Sequence, residues 1–187
     1  MSRATLLALP LLLAACGSTS TPQAQKPATT GKQPCSKFTG ATGEQSSTTK
    51  PSQTMLLTGV KVNSDSCSDR IVFDFRDAAG EHPGVTVAYR PADQAQTEDA
   101  SGRHIPIEGK AFLVVRFEPA ATADLSKLKL EITYTGPPSI EPAGTRWVQE
   151  AAKTGDFESV LTWAVGLSEQ RPFRVVTEPA RLTVVFG

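Results

Sequence analysis

The chain has 187 residues, and Lys plus Arg balance Asp plus Glu at 19 each. A neutral chain offers no electrostatic footprint for nucleic acid, and no basic cluster marks a surface for lipid headgroups. No apolar run is long enough to cross a bilayer as a helix.

The first element is a signal for export. Arg3 supplies a short cationic start, Ala4 to Leu13 is an apolar stretch, and Leu13-Ala14-Ala15-Cys16 matches a lipobox. Residues 1–15 therefore read as a lipoprotein signal peptide, cleaved before Cys16, whose thiol takes a diacylglyceryl group. This predicts a membrane-anchored lipoprotein on the extracytoplasmic side of the cell envelope. Of the three cysteines, Cys35 and Cys67 are then left over. Outside the cytoplasm an even remainder reads as a disulfide, with two free thiols as the alternative.

Residues 16–54 are rich in Ser, Thr, Gln, Pro, Gly and Lys, with no apolar period. Such a segment buries too little surface to offset its ordering entropy, so it is predicted to be a disordered tether. A flexible coil of this length spans roughly 30–37 Å. Asn63, Asp65, Cys67 and Asp69 recur at every second position, as in the start of a calcium loop, but the Gly and the bidentate Glu of such a loop are missing. A plain turn with solvated acids is the simpler reading.

Residues 55–187 read as one domain. Ile71, Phe73 and Phe75 alternate with Val72 and Asp74, and Val85, Val87 and Tyr89 alternate with Thr86 and Ala88. Ala111 to Phe117 is apolar on both faces until Arg116, which predicts a central strand. Ala121 to Lys127 has room for one helical turn after Pro119. Leu128 to Tyr134 alternates strictly, a strand with one wet face. Trp147 to Lys153 alternates loosely and reads as a strand, although Glu150-Ala151-Ala152 would also suit a helix. Leu161, Trp163, Val165 and Leu167 share a face, Phe173 pairs with Val175, and Leu182, Val184 and Phe186 close the chain. Gly and Pro punctuate these runs. The predicted fold class is all-β, a single sandwich of short, mostly antiparallel strands. The segments beginning Arg70 and Arg181 echo one another, and read either as a pseudo-symmetric pair, one strand in each sheet, or as coincidence, since Arg before a β-branched run is common.

Several of these pieces occur together in order. They are Leu57-Thr58-Gly59-Val60-Lys61-Val62, Asp69 to Phe75, Tyr134-Thr135-Gly136-Pro137, Gly155 to Leu167, Pro172 to Val175, and Pro179 to Val184. As a set they resemble the AMIN-like domain of bacterial lipoproteins, from about Leu56 to Phe186. The resemblance implies a compact β-sandwich and no catalytic motif. The related AMIN domains localise envelope proteins, and some bind peptidoglycan. The chain departs from the family at its end, where Val184-Val185-Phe186-Gly187 lacks the acidic residue more usual near Val185.

The chemistry-bearing residues are few. His82 and His104 sit in loops, and no Cys-x-x-Cys, His-Glu-x-x-His or Gly-x-Ser-x-Gly is present. No metal site and no cofactor is predicted. Ser126 and Lys127-Leu128-Lys129 match Ser-x-x-Lys, yet lead into an alternating strand without the companion motifs of penicillin-binding enzymes. Trp163 lies on an apolar face and belongs to the core. Trp147, between Arg146 and Val148, is the candidate stacking platform. Tyr134 opens a Gly-Pro-Pro turn at a candidate rim, and Asp156 and Glu158 flank Phe157 as candidate hydrogen-bond acceptors. The expectation is a non-catalytic, lipid-anchored module binding peptidoglycan or an envelope protein through Tyr134, Trp147, Asp156 and Glu158. The alternatives are an assembly lipoprotein that uses an exposed strand edge and, less favoured, a cell-wall hydrolase or transpeptidase.

Overall fold

The computed structural model describes residues 35–76 and 80–187. The expected signal peptide, Cys16 and the first part of the expected tether lie outside the described residues. Fourteen elements follow in chain order. They are β1 (Gln45–Ser47), β2 (Met55–Ser64), β3 (Asp69–Phe75), β4 (Gly84–Arg90), α1 (Ala92–Ala95), β5 (Ala111–Glu118), β6 (Ala120–Ala121), β7 (Ala123–Asp124), β8 (Glu131–Ile132), β9 (Ser139–Ile140), β10 (Val148–Phe157), β11 (Val160–Leu167), β12 (Phe173–Glu178) and β13 (Arg181–Phe186).

Two sheets face each other. One runs β1-β4-β5-β11-β10-β9, the other β12-β13-β3-β2-β6, and β7 pairs with β8 as a separate ribbon. The period-two runs explain the layering, because alternate side chains of a strand leave on opposite faces. Ile71, Phe73, Phe75, Leu182, Val184 and Phe186 from one sheet are buried against Val87, Leu113, Val115, Phe117, Leu161 and Trp163 from the other. Phe73 meets Phe117 and Trp163 edge-on, with ring centroids 4.9 and 6.0 Å apart. Burying each of these side chains stabilises the fold by about 1.5–3 kcal/mol.

The outer face of the larger sheet is also covered. Ala95 of α1 and Ile107 pack on Phe112, Ala152 and Ala164. This is why β5 is apolar on both faces, and β5 is indeed central, between β4 and β11. Gly166 lets the chain lie close there, since a Cβ at this position would overlap the Glu108 carbonyl.

Four expectations are corrected. The tether does not stay disordered to residue 54. β1 pairs with β4, Ala41 bridges to Phe173, and Cys35 is bonded to Cys67 with a Cα–Cα distance of 5.4 Å. Gln45 completes this seam: its side-chain amide donates to Phe173 O at 2.8 Å and accepts from Val175 N at 3.1 Å, so it stands in for a strand along β12. Residues 41–47 thus join the edges of both sheets with backbone bonds rather than apolar surface, a signal that composition does not carry. Second, the echoing segments β3 and β13 are antiparallel neighbours in one sheet, Val184 opposite Ile71. Third, the expected helical turn at 121–127 is replaced by β6 and β7, the former parallel to the start of β2. Fourth, the expected strand at 128–134 shrinks to β8, and its faces are inverted. Glu131 pairs with Arg76 and the Thr133 hydroxyl donates to Leu57 O at 2.8 Å, whereas Leu128, Leu130 and Ile132 point outward. The stretch expected as a strand over 147–153 is one from Val148 and runs on to Phe157.

Candidate functional site

A cleft of about 290 Å³ opens at one end of the sandwich, where the start of β2, the segment from β6 to Ser126 and the β10–β11 hairpin converge. Gln53, Arg76, Asp124, Asp156, Phe157 and Glu158 are among its lining residues.

The hairpin is a two-residue turn with Phe157 opposite Val160. Glu158 and Ser159 occupy it at φ 50° and 63°. Left-handed backbone at both central positions matches the twist of the flanking strands but is strained for residues with a Cβ. The turn is braced from β6, where Ala120 N donates to Ser159 O at 2.8 Å. The result projects Phe157 and Glu158 into solvent at the mouth of the cleft. Gly155, just before the turn, is demanded by packing, because a Cβ there would overlap the Asp99 carboxylate. That carboxylate accepts from Thr162 Oγ1 at 2.6 Å.

The cleft is lined by paired charges. Arg76 bonds Glu131 and lies 3.5 Å from Asp124, and Lys127 bonds Glu131 and lies 3.7 Å from Asp124. Hydrogen bonds from the Ser126 hydroxyl and amide, then the nearby charges of Lys127 and Arg76, hold the Asp124 carboxyl below its usual range. Bonds from Lys127 and Arg76 do the same for Glu131. Both are therefore carboxylates at neutral pH. Asp156 accepts from the Thr122 hydroxyl and, at 3.4 Å, from Lys153 Nζ. Ser126 serves Asp124 on a bend, not on a helix beside a lysine, so Ser-x-x-Lys has no nucleophile geometry.

The four residues expected to form one binding site are not brought together. Asp156 and Glu158 line the cleft. Trp147 precedes the other end of β10, about 30 Å away at the rise of a strand. Its ring is half-buried, with the guanidiniums of Arg171 and Arg146 4.4 and 5.3 Å from the centroid, so it is no open platform. Tyr134 is buried and is corrected from rim to core. Its hydroxyl donates to Pro137 O at 2.8 Å, and its ring stands edge-on to Trp163 at 5.8 Å. Burial raises its pKa. The aromatic that is exposed at the cleft is Phe157, 57 % open. A Phe flanked by two acids after a Gly is the local signal that marks it. Arg76 and Asp124 carry no such signal, because Arg76 finds its partners far along the chain, Asp124 on β7 and Glu131 on β8.

Asp69 is the other residue that local reading misplaced. It is buried at the start of β3, and its carboxylate accepts the amides of Arg146, Trp147 and Val148 at 3.0, 2.7 and 3.0 Å, with Ser64 Oγ at 2.6 Å. Burial opposes its ionisation, but these four donors prevail and the pKa is lowered. Asp65 instead closes a turn, accepting from the amides of Cys67 and Ser68 at 2.8 Å each.

A family model described as the AMIN-like domain matches residues 55–186. No curated protein and no solved structure gives a significant match.

Proposed function

The chain belongs to the AMIN-like domain family, which points to a cell-envelope-associated module, and on that premise we propose that it is a non-catalytic, lipid-anchored lipoprotein that binds peptidoglycan through the cleft beside Phe157. The observation that carries this reading is the exposed Phe157 ring between two acceptors, Asp156 and Glu158. A sugar ring stacks its C–H face on such an aromatic while carboxylates take its hydroxyls. Cys16 is the proposed site of lipidation.

A second reading, an envelope protein as the partner, is favoured by one observation: Leu125 at the same rim is 79 % exposed. Co-sedimentation with purified sacculi separates the two, using the chain from residue 33 so that the seam at 41–47 and the disulfide are kept. Wild type should pellet with sacculi and Phe157→Ala should not. Failure of wild type to pellet rejects the glycan reading and leaves the protein partner. Release of soluble wall fragments would reject the non-catalytic assignment.

A further inference from the structure

The inverted ribbon β7–β8 points to a partner. Leu128, Leu130 and Ile132 are 112, 58 and 59 % exposed, whereas the alternate residues Glu131 and Thr133 bond the domain. A period-two segment that turns its polar face inward and its apolar face outward is patterned for burial by something outside its own fold. Its backbone is open as well. Thr133 N donates to Thr122 O at 2.9 Å, and Ile132 lies opposite Ala123. The alternation of an antiparallel pair therefore turns the amides and carbonyls of Ile132 and Leu130 away from β7. Among the described residues no strand pairs with that edge.

We propose that this edge is completed by a second copy of the chain, the two segments 128–132 pairing antiparallel about a two-fold axis at Leu130. The register is self-complementary. Leu130 meets Leu130, Leu128 meets Ile132, and Lys129 meets Glu131 of the other copy. Lys129 has no carboxylate within ion-pair distance among the described residues, so the pairing supplies one. The outward backbone groups of Leu130 and Ile132 are those that such a pairing joins, as in strand addition at a sheet edge. Residues 126–129 bend in the single chain, and pairing straightens them into the strand that their alternation specifies. Leu128, Leu130 and Ile132 form an apolar stripe along this edge, each more than half exposed, and Leu125 and Phe157 at the cleft lie outside it. The contact is isologous, each residue of the stripe meeting its mate across the axis.

The test is cross-linking of the full chain in the membranes of cells expressing it. Leu130→Cys places two thiols on the axis, with Cα atoms about 5.5 Å apart, within disulfide reach. It should give a band of twice the monomer mass on non-reducing gels, and Leu125→Cys, more exposed but off the axis, should not. Leu130→Lys sets like charges against each other on the axis and should weaken dimerisation of the detergent-solubilised chain about 100-fold or more by sedimentation. Its circular dichroism reports whether it folds, and the Cys variant stands independently if it does not. Conjugation of Leu130→Cys to a protein of different mass, equal self-linking by Leu125→Cys, or wild-type sedimentation by folded Leu130→Lys would each overturn the proposal.

Discussion

The Asp69 carboxylate and the Trp147 amide lie 2.7 Å apart although 78 residues separate them in the chain. Through that contact and its neighbours, one side chain orders the entry to β10 and fixes where its register begins. Asp69→Ala strands three backbone donors in a buried place, which costs about 3 kcal/mol or more. Chemical denaturation of the two proteins at neutral pH checks this.

The same carboxylate links stability to pH. Its folded pKa lies below the unfolded one, so its contribution is complete above the unfolded value near 4 and fades as pH falls through the folded value. Wild type should lose stability below about pH 4 more steeply than Asp69→Asn, which has no proton to take up there. Parallel slopes in denaturant titrations between pH 5 and pH 2 would contradict the assignment.

The β10–β11 turn holds two ordinary residues in left-handed backbone. Replacing both, as Glu158→Asn with Ser159→Gly, relieves strain and should raise stability by about 1 kcal/mol or more. If Glu158 is an acceptor for glycan, the same variant should pellet less with sacculi while melting higher. A variant that melts lower would show that Glu158 and Ser159 make contacts worth more than the strain.

Gly155 and Asp99 should behave as a coupled pair. Gly155→Ala forces the carboxylate aside and costs about 2 kcal/mol. Asp99→Ala loses the bond to Thr162 but makes room. In the double variant the two losses should sum to less than their separate values, by at least about 1 kcal/mol in a double-mutant cycle. Additive losses would mean that the overlap is relieved in some other way.

Trp147 separates the earlier candidate site from the cleft. Trp147→Ala removes a half-buried ring and the surface on which Arg171 rests, so its melting temperature should fall. Its retention on sacculi, measured below that temperature, should match wild type. Loss of binding in the folded variant would return the site to this end of the molecule.

Legibility followed the reach of each interaction. Ile71, Phe73 and Phe75, or Leu161, Trp163 and Val165, declare their strands because burial of one face is written within the segment. The alternation of Leu128, Leu130 and Ile132 was equally plain, but periodicity says which side chains share a face and not which way that face turns. Glu131 and Thr133 decide the turn through Arg76 and Leu57. Trp147 looked open because Arg171, its cover, is far along the chain. Residues 41–47 looked structureless because Gln45 and Ala41 find their partners on β12.

The Cys35–Cys67 bond also has a mechanical meaning. A pull arriving from the N-terminal side crosses directly to the tip between β2 and β3 and bypasses β1. If something grips the cleft, the opposing force enters at Arg76, at the far end of β3. The load then runs lengthwise along β3 and must slide it past β2 and β13, breaking many backbone bonds at once instead of peeling them one by one. With the bond reduced, the pull falls first on the three-residue strand β1. The oxidised domain is thus built to hold under tension, and the reduced one to unravel from its N-terminal seam.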